Sequence, residues 1–404
     1  MSDQLDRLRG AFASAAALAP LATQLEKLGC PLEIRAEGAV IFSYSHKSQA
    51  PPDVVISANE QTWACALYEH PAPGFQSLGA LYRLQPDMEV TGEPIKFMQA
   101  LPILEELLES TRDLLHGHSA AWSFEDDLTA IEGHYTKSGS HWVYFEKSGH
   151  PDKPLICMLH TAGADSRQWH GLMSMADLRE NWQMVAFDMP GHGRSPLPDS
   201  SPNWQWHLTE TQYVDIVSTF IRTELKQPVI LMGCSMGAAV GLPLLAQHPD
   251  LFKAAILLET PYHSPGRRSP YLDHPGVHGG RLSATWVASL LSPHSPMWRR
   301  NLARWIYSQS APSVYDGDLA FYSDEFRASN HTAGIDTNKT PLWLLTGDYD
   351  YSASPAETAR VAAEIPGSRF QTMSGFGHFP MTEDPHRLFQ EYLHDILREL
   401  SSKG

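Results

Sequence analysis

The sequence predicts a doubly wound, mostly parallel α/β sheet with a helical cap, preceded by a small α+β domain. Three observations lead there. From Tyr135 onward, short apolar runs of strand length alternate with helical segments, a pattern that places parallel strands between two layers of helix. One of these runs, Val229 to Met232, ends in Gly233-Cys234-Ser235-Met236-Gly237 and continues as a helix of small apolar residues. The beginning of the chain has another rhythm, with two helical segments, several alternating strands and a long helix before a polar stretch. At 404 residues the chain is too long for one ordinary domain and fits a large one plus a smaller one.

In the first part, Leu5, Leu8 and Phe12, then Leu21, Leu25 and Leu28, recur at helical spacing, with a break at Pro20 and a stop at Gly29. Leu32 and Ile34, then Val40, Phe42 and Tyr44, then Val54 and Ile56 alternate as half-buried strands do, punctuated by Pro51-Pro52. A further strand enters Gly92-Glu93, and a helix with Phe97, Leu101, Leu104 and Leu108 on its apolar face closes the unit. This order of strands with a long terminal helix resembles the sterol-carrier-like domain, which implies a lipid or substrate pocket. The residues themselves favour a module for packing or dimerisation that covers the pocket of the next domain. The unit spans 1–115. A linker rich in small and polar residues follows at 116–130. It holds His116 and His118, which lack a third ligand nearby and read as solvated linker rather than a metal site.

The larger domain, 131–404, opens with a hairpin around Tyr135 and His141 to Phe145. Its strands then run at Leu155 to Leu159, Met184 to Phe187, Val229 to Met232, Ala254 to Leu258, Leu342 to Leu345 and Phe370 to Met373. Ligands bind at the carboxyl ends of such strands, and the chemistry-bearing residues lie there. Ser235 falls on a strand-to-helix turn, where Gly233 and Gly237 leave room for a sharp, strained backbone. The same pentapeptide also occurs in ordinary loops; the flanking strand and helix give it meaning here. His160-Thr161-Ala162-Gly163 is a loop of small residues whose N–H groups can turn toward the site, with His160 read as a buried structural histidine. Asp188-Met189-Pro190-Gly191-His192-Gly193-Arg194-Ser195 matches no phosphate-binding spacing and reads as a structural turn.

Taken in order, H-x-x-G, D-x-P-G-H-G-R-S, G-x-S-x-G, a late G-x-x-D and Gly375-Phe376-Gly377-His378 resemble the α/β-hydrolase superfamily over residues 130–400. The resemblance implies that the sheet is an α/β-hydrolase sheet with a catalytic triad. Ser235 is then the nucleophile. A serine hydroxyl needs an imidazole to take its proton, and His378 alone among the 20 histidines has the right context. A carboxylate must hold that imidazole, and two compete. Asp350, in Gly347-Asp348-Tyr349-Asp350, is favoured by the order Ser, Asp, His; Glu259, at the end of the strand after the nucleophile helix, is the alternate. The backbone N–H groups of Met236 and Ala162 are the expected oxyanion donors.

An insertion at about 262–338 reads as the cap. Trp286, Trp298, Trp305, Tyr307, Tyr315, Phe321 and Tyr322 are candidates to line a substrate pocket or simply to pack the cap. Arg299-Arg300 reads equally as a weak anion site or a solvated face. A net charge of −16 argues against nucleic acid and anionic membranes as partners, and leaves a small-molecule substrate, with a homodimer as one use of the first domain's apolar surface. Four scattered cysteines without C-x-x-C spacing suggest neither zinc nor a disulfide framework, and no cofactor or metal motif is present. The acidic N-terminus and the lack of a run of about 18 apolar residues point to a cytoplasmic protein. The expected activity is hydrolysis of a carboxylic ester or lactone of a small, partly aromatic substrate through an acyl-serine. The alternatives are a carbon-carbon bond hydrolase acting on ring-fission products, whose family usually has Gly where Thr161 stands, and a ligand receptor on the same fold.

Overall fold

The computed structural model describes residues 2–45, 51–117, 124–198 and 205–402. Two helices, Ser2–Ala16 and Ala19–Leu28, lead into strands β1 (Leu32–Ala36), β2 (Ala39–Tyr44), β3 (Val54–Ala58) and β4 (Glu89–Gly92). The helix break precedes Pro20, which sits in the first turn of the second helix, where its missing N–H costs nothing. Gly29 ends that helix in the left-handed conformation. The sheet order is β2-β1-β3-β4, with β1 and β3 parallel and the two outer pairings antiparallel. Helix Pro94–His116 buries Phe97, Leu101, Leu104 and Leu108, the face read from the sequence.

The second sheet comprises β5 (Glu132–Ser138), β6 (His141–Gly149), β7 (Leu155–Leu159), β8 (Gln183–Asp188), β9 (Val229–Cys234), β10 (Phe252–Leu258), β11 (Leu342–Gly347) and β12 (Arg369–Met373). Its order is β12-β11-β10-β9-β7-β8-β6-β5, parallel from β12 to β8 and antiparallel at the β5-β6 edge. Every residue of β7, β9 and β11 is buried, as expected of strands covered on both faces. The chain runs outward from β7 to β8 and returns to place β9 on the other side of β7, so the topological switch lies between the carboxyl ends of β7 and β9. The loop at His160 and the turn at Ser235 flank that switch. All four cysteines are free thiols. Among the described residues no helix is long and apolar enough to cross a membrane.

The cap contributes helices Gly279–Ala288, Met297–Ser308 and Val314–Leu319. The N-terminal unit packs on it. Ser77 Oγ donates to Ser289 O at 3.0 Å, and a Cβ on Gly79, in the short helix Leu78–Leu84, would stand 2.6 Å from that of Ser289 at the end of helix Gly279–Ala288, so the two helices approach at a distance only glycine permits. Tyr349, beside the site, donates its hydroxyl to Pro71 O (2.7 Å). The sequence reading of Arg299 and Arg300 as a solvated face or an anion site is corrected here. Arg299 makes a buried two-pronged pair with Asp126 (2.8 and 2.5 Å), and Arg300 and Arg304 share Glu109 of the long N-terminal helix. An i, i+1 arginine pair looks solvated in sequence because its counter-charges come from a distant part of the chain. The linker reading changes with it: His116 still belongs to the helix, and Asp126 and Phe124 dock on the cap through Arg299 and Trp298. His118 lies outside the described residues.

Candidate active site

Ser235 follows β9 directly and adopts φ 55°, ψ −113°, a left-handed conformation that costs a non-glycine residue about 1–3 kcal/mol. The surroundings enforce it. Its N–H donates to Leu258 O on β10 (2.9 Å), and helix Met236–Gln247 starts at once. A Cβ on Gly233 would lie 2.3 Å from Gly237 O, and one on Gly237 would lie 2.5 Å from Leu159 O. Both glycines are therefore required by backbone approaching from the facing element.

His378, on the loop after β12, brings Nε2 to 2.7 Å from Ser235 Oγ and Nδ1 to 2.6 Å from Asp350 Oδ2. Its own N–H is tied to Leu290 O at the end of a cap helix (3.0 Å). Asp350 Oδ1 accepts from the N–H groups of Ser352 and Ala353 at 2.6 and 3.2 Å. Burial works to raise the Asp350 carboxyl, but His378 and these donors outweigh it and hold it below the usual range. An ionised Asp350 can only accept, so Nδ1 carries the imidazole proton and Nε2 is left to accept from the Ser235 hydroxyl.

Glu259 follows β10 with φ 54° and is fully buried. Both its carboxyl oxygens face Gly347 N–H, at 3.0 and 3.2 Å, and ligand atoms of Glu259, Asp350 and His378 all lie within 4.8 Å of one another. Burial and the adjacent Asp350 charge push this carboxyl well above the ordinary value, which favours its neutral form beside Asp350. Of the two candidate carboxyls, Asp350 touches the histidine and Glu259 stands behind it.

The loop after β7 packs on the first turn of the Met236–Gln247 helix, since a Cβ on Gly237 would also stand 2.9 Å from His160 O. Among the described residues, the N–H groups of Ala162 and Met236 donate to no other group of the chain. The loop is pinned from several sides. His160 Nδ1 donates to Thr161 O (2.8 Å) and Nε2 accepts from Met189 N–H (3.0 Å), a neutral structural ring held down to about 4 by burial and by His192. Asp318 of the cap accepts from Gly163 N–H (2.7 Å), His192 Nε2 (2.6 Å) and Trp206 Nε1 (2.7 Å). Thr161 Oγ1 hydrogen-bonds Tyr307 OH.

Among the cap aromatics, Tyr307, Tyr315 and Tyr322 stand over this site. Tyr315 covers Gly163, and the Tyr322 phenol lies beside Ser235. Trp298 and Phe321 pack elsewhere, against Phe124 and Tyr213, and Trp305 is half exposed beneath Arg167. Ser235 is 3% exposed, so the cap is closed over it. Asp318 escaped the sequence reading, and Tyr307 and Tyr322 stood there only among seven cap aromatics that could line the pocket or pack the cap. Their neighbours along the chain carry no pattern, and only the folded cap brings them to the loop.

A parallel sheet with a buried serine, histidine and carboxylate in line at its strand ends, under a cap, defines a hydrolase. The sequence profile of the alpha/beta hydrolase fold matches residues 154–385, more than half the chain, and the protein belongs to that family. The chain is similar to the "Putative esterase/lipase 2" of Mycoplasma genitalium, 24% identical over 263 residues covering 62% of this chain and 91% of that protein. It is 31% identical to the monoacylglycerol lipase abhd6-B of Xenopus laevis over 289 residues, 66% of this chain and 82% of that one. Among solved structures, the enol-lactonase of Burkholderia xenovorans LB400 superposes with a TM-score of 0.58 at 21% identity, over 65% of this chain and 99% of that one. This last likeness is one of fold.

Proposed function

We propose that the protein is a serine hydrolase that cleaves a carboxylic ester or lactone of a small, partly apolar or aromatic substrate. The observation that carries this is the hydrogen-bonded line from Asp350 through His378 to Ser235 Oγ. His378 Nε2 takes the hydroxyl proton as Oγ attacks the carbonyl carbon. The carbonyl oxygen becomes an oxyanion received by the free N–H groups of Met236 and Ala162, each worth about 3–4 kcal/mol in such a role. The same proton then passes to the leaving alkoxide, and the acyl-serine is hydrolysed by water along the reverse path. Asp350 keeps the proton on Nδ1 and stabilises the imidazolium. The tyrosines of the cap supply the partly aromatic walls.

The test is turnover of p-nitrophenyl esters and small lactones by purified protein, with labelling by a fluorophosphonate. Ser235→Ala should lower ester turnover by about 10⁴-fold or more and abolish labelling while circular dichroism is unchanged. His378→Ala should be nearly as damaging, and the double variant no worse than either, because the two act as one unit. A Ser235→Ala protein keeping a tenth of the activity would refute the assignment.

A further inference from the structure

Arg267 belongs to the segment that leaves β10 at the root of the cap, and it is 8% exposed. Its backbone N–H donates to Ser323 Oγ (3.1 Å), but among the described residues its guanidinium forms no ion pair. Other buried arginines have carbonyl or carboxylate partners: Arg112 donates to Ala66 O and Gln76 O, and Arg299 to Asp126. Arg267 instead hydrogen-bonds the neutral phenol of Tyr315 and faces those of Tyr351 and Tyr322, and the carboxylate that acts on it, Asp350, is already held by His378. A second guanidinium approaches from the N-terminal unit. Arg83 reaches Gly266 O (3.3 Å) and stands close enough to Arg267 for the two charges to repel. Both line a cavity of about 70 Å³, with Tyr351, Ser289 and Trp286.

Two neighbouring cations, one of them buried, are costly unless an anion completes them. Since the protein carries a net charge of −16, a site for an anion must be made locally. Tyr322 acts on Arg267 and its phenol hydrogen-bonds Ser235, so a single side chain separates the guanidinium from the serine. A planar guanidinium fork matches a carboxylate in two-pronged fashion, and the small cavity suits a carboxylate better than a larger head group. We propose that Arg267, assisted by Arg83, binds a carboxylate on the substrate, so that the preferred esters or lactones carry a negative charge away from the bond that is cleaved. This rests on the serine-hydrolase reading above, and it makes the N-terminal unit part of the specificity pocket.

The experiment uses the full-length protein and two matched pairs of esters, one charged on the acyl side and one on the alcohol side. These are mono-p-nitrophenyl glutarate against p-nitrophenyl valerate, and 4-(butyryloxy)benzoate against phenyl butyrate. In at least one pair the charged ester should have the higher kcat/KM, by about tenfold or more. Arg267→Gln should lower that ratio by about tenfold, chiefly through KM of the charged ester, Arg267→Lys should restore part of it, and Arg83→Gln should lower it by about threefold. If Arg267→Gln does not fold, the exposed Arg83→Gln carries the test. No preference for charge in either pair, or a ratio unmoved in folded variants, overturns the inference while fluorophosphonate labelling of Ser235 keeps the hydrolase reading intact. Absence of labelling and turnover overturns the hydrolase reading, and this inference falls with it.

Discussion

Asp350 and Glu259 are carboxyl groups of one cluster that are pushed in opposite directions, the first below and the second above the ordinary value, and their surroundings decide which is which. Asp350 has a cationisable ring and two backbone donors; Glu259 has one backbone donor, complete burial and a negative neighbour. Asp350→Asn should therefore lower kcat by about 10⁴-fold, since an amide can donate to Nδ1 and stabilise the wrong tautomer. Glu259→Gln replaces a carboxyl that burial pushes toward its neutral form by a neutral amide of the same shape, which can donate to Asp350. It should lower kcat by less than about tenfold. Steady-state kinetics of the two variants decide the matter, and a larger loss in Glu259→Gln would exchange their roles. The sequence left both carboxyls in contention because each ends a strand beside the site, and burial and distance are not sequence properties.

At the level of elements, the elbow and the β7 loop are set by backbone contacts. Gly237→Ala would push a methyl group against Leu159 O and should destabilise the protein by about 1–3 kcal/mol in denaturant unfolding. It should also slow fluorophosphonate labelling, because Ser235 would be displaced with the turn. The loop has a second anchor in the cap. Asp318→Asn replaces a charged acceptor for His192 and Gly163 N–H, and a loop shift of the order of 1 Å should cost about 10- to 100-fold in kcat with little change in KM. An unchanged kcat would show that the cap does not position the Ala162 N–H. The glycines were legible from their spacing around the serine. Asp318 was not, since it lies in a cap helix without motif or periodicity that marks it.

Across the whole molecule, the N-terminal unit clamps the cap through Glu109, Arg300 and Arg304. Burial opposes the ionised Glu109, but Arg304 and Arg300 outweigh it and hold its carboxyl down to about 2. A carboxyl whose folded value lies below its unfolded value of 4.5 adds stability above pH 4.5, and that contribution is lost as the pH falls from there toward 2. Glu109→Gln should cost about 3 kcal/mol at pH 7, because it leaves two guanidinium groups without their counter-charge. The difference between wild type and variant, read from urea unfolding, should shrink as the pH is lowered below 4.5. A difference that does not change with pH would place the stabilisation elsewhere.

The sequence by itself determined the strands, their alternation with helices, the sharp turn at Ser235 and the histidine that meets it, because these depend on local periodicity and on glycine at fixed spacing. It also separated an N-terminal α+β unit from the larger sheet. Only the tertiary structure decided which carboxyl meets His378, which cap tyrosines stand over Ser235, and that Arg299 and Arg300 are paired. These outcomes depend on contacts between residues such as Arg300 and Glu109, or Gly163 and Asp318, that are far apart in the chain. A charge or an aromatic ring looks the same in sequence whether it faces water, a counter-ion or a substrate, and folding supplies the neighbour that tells them apart.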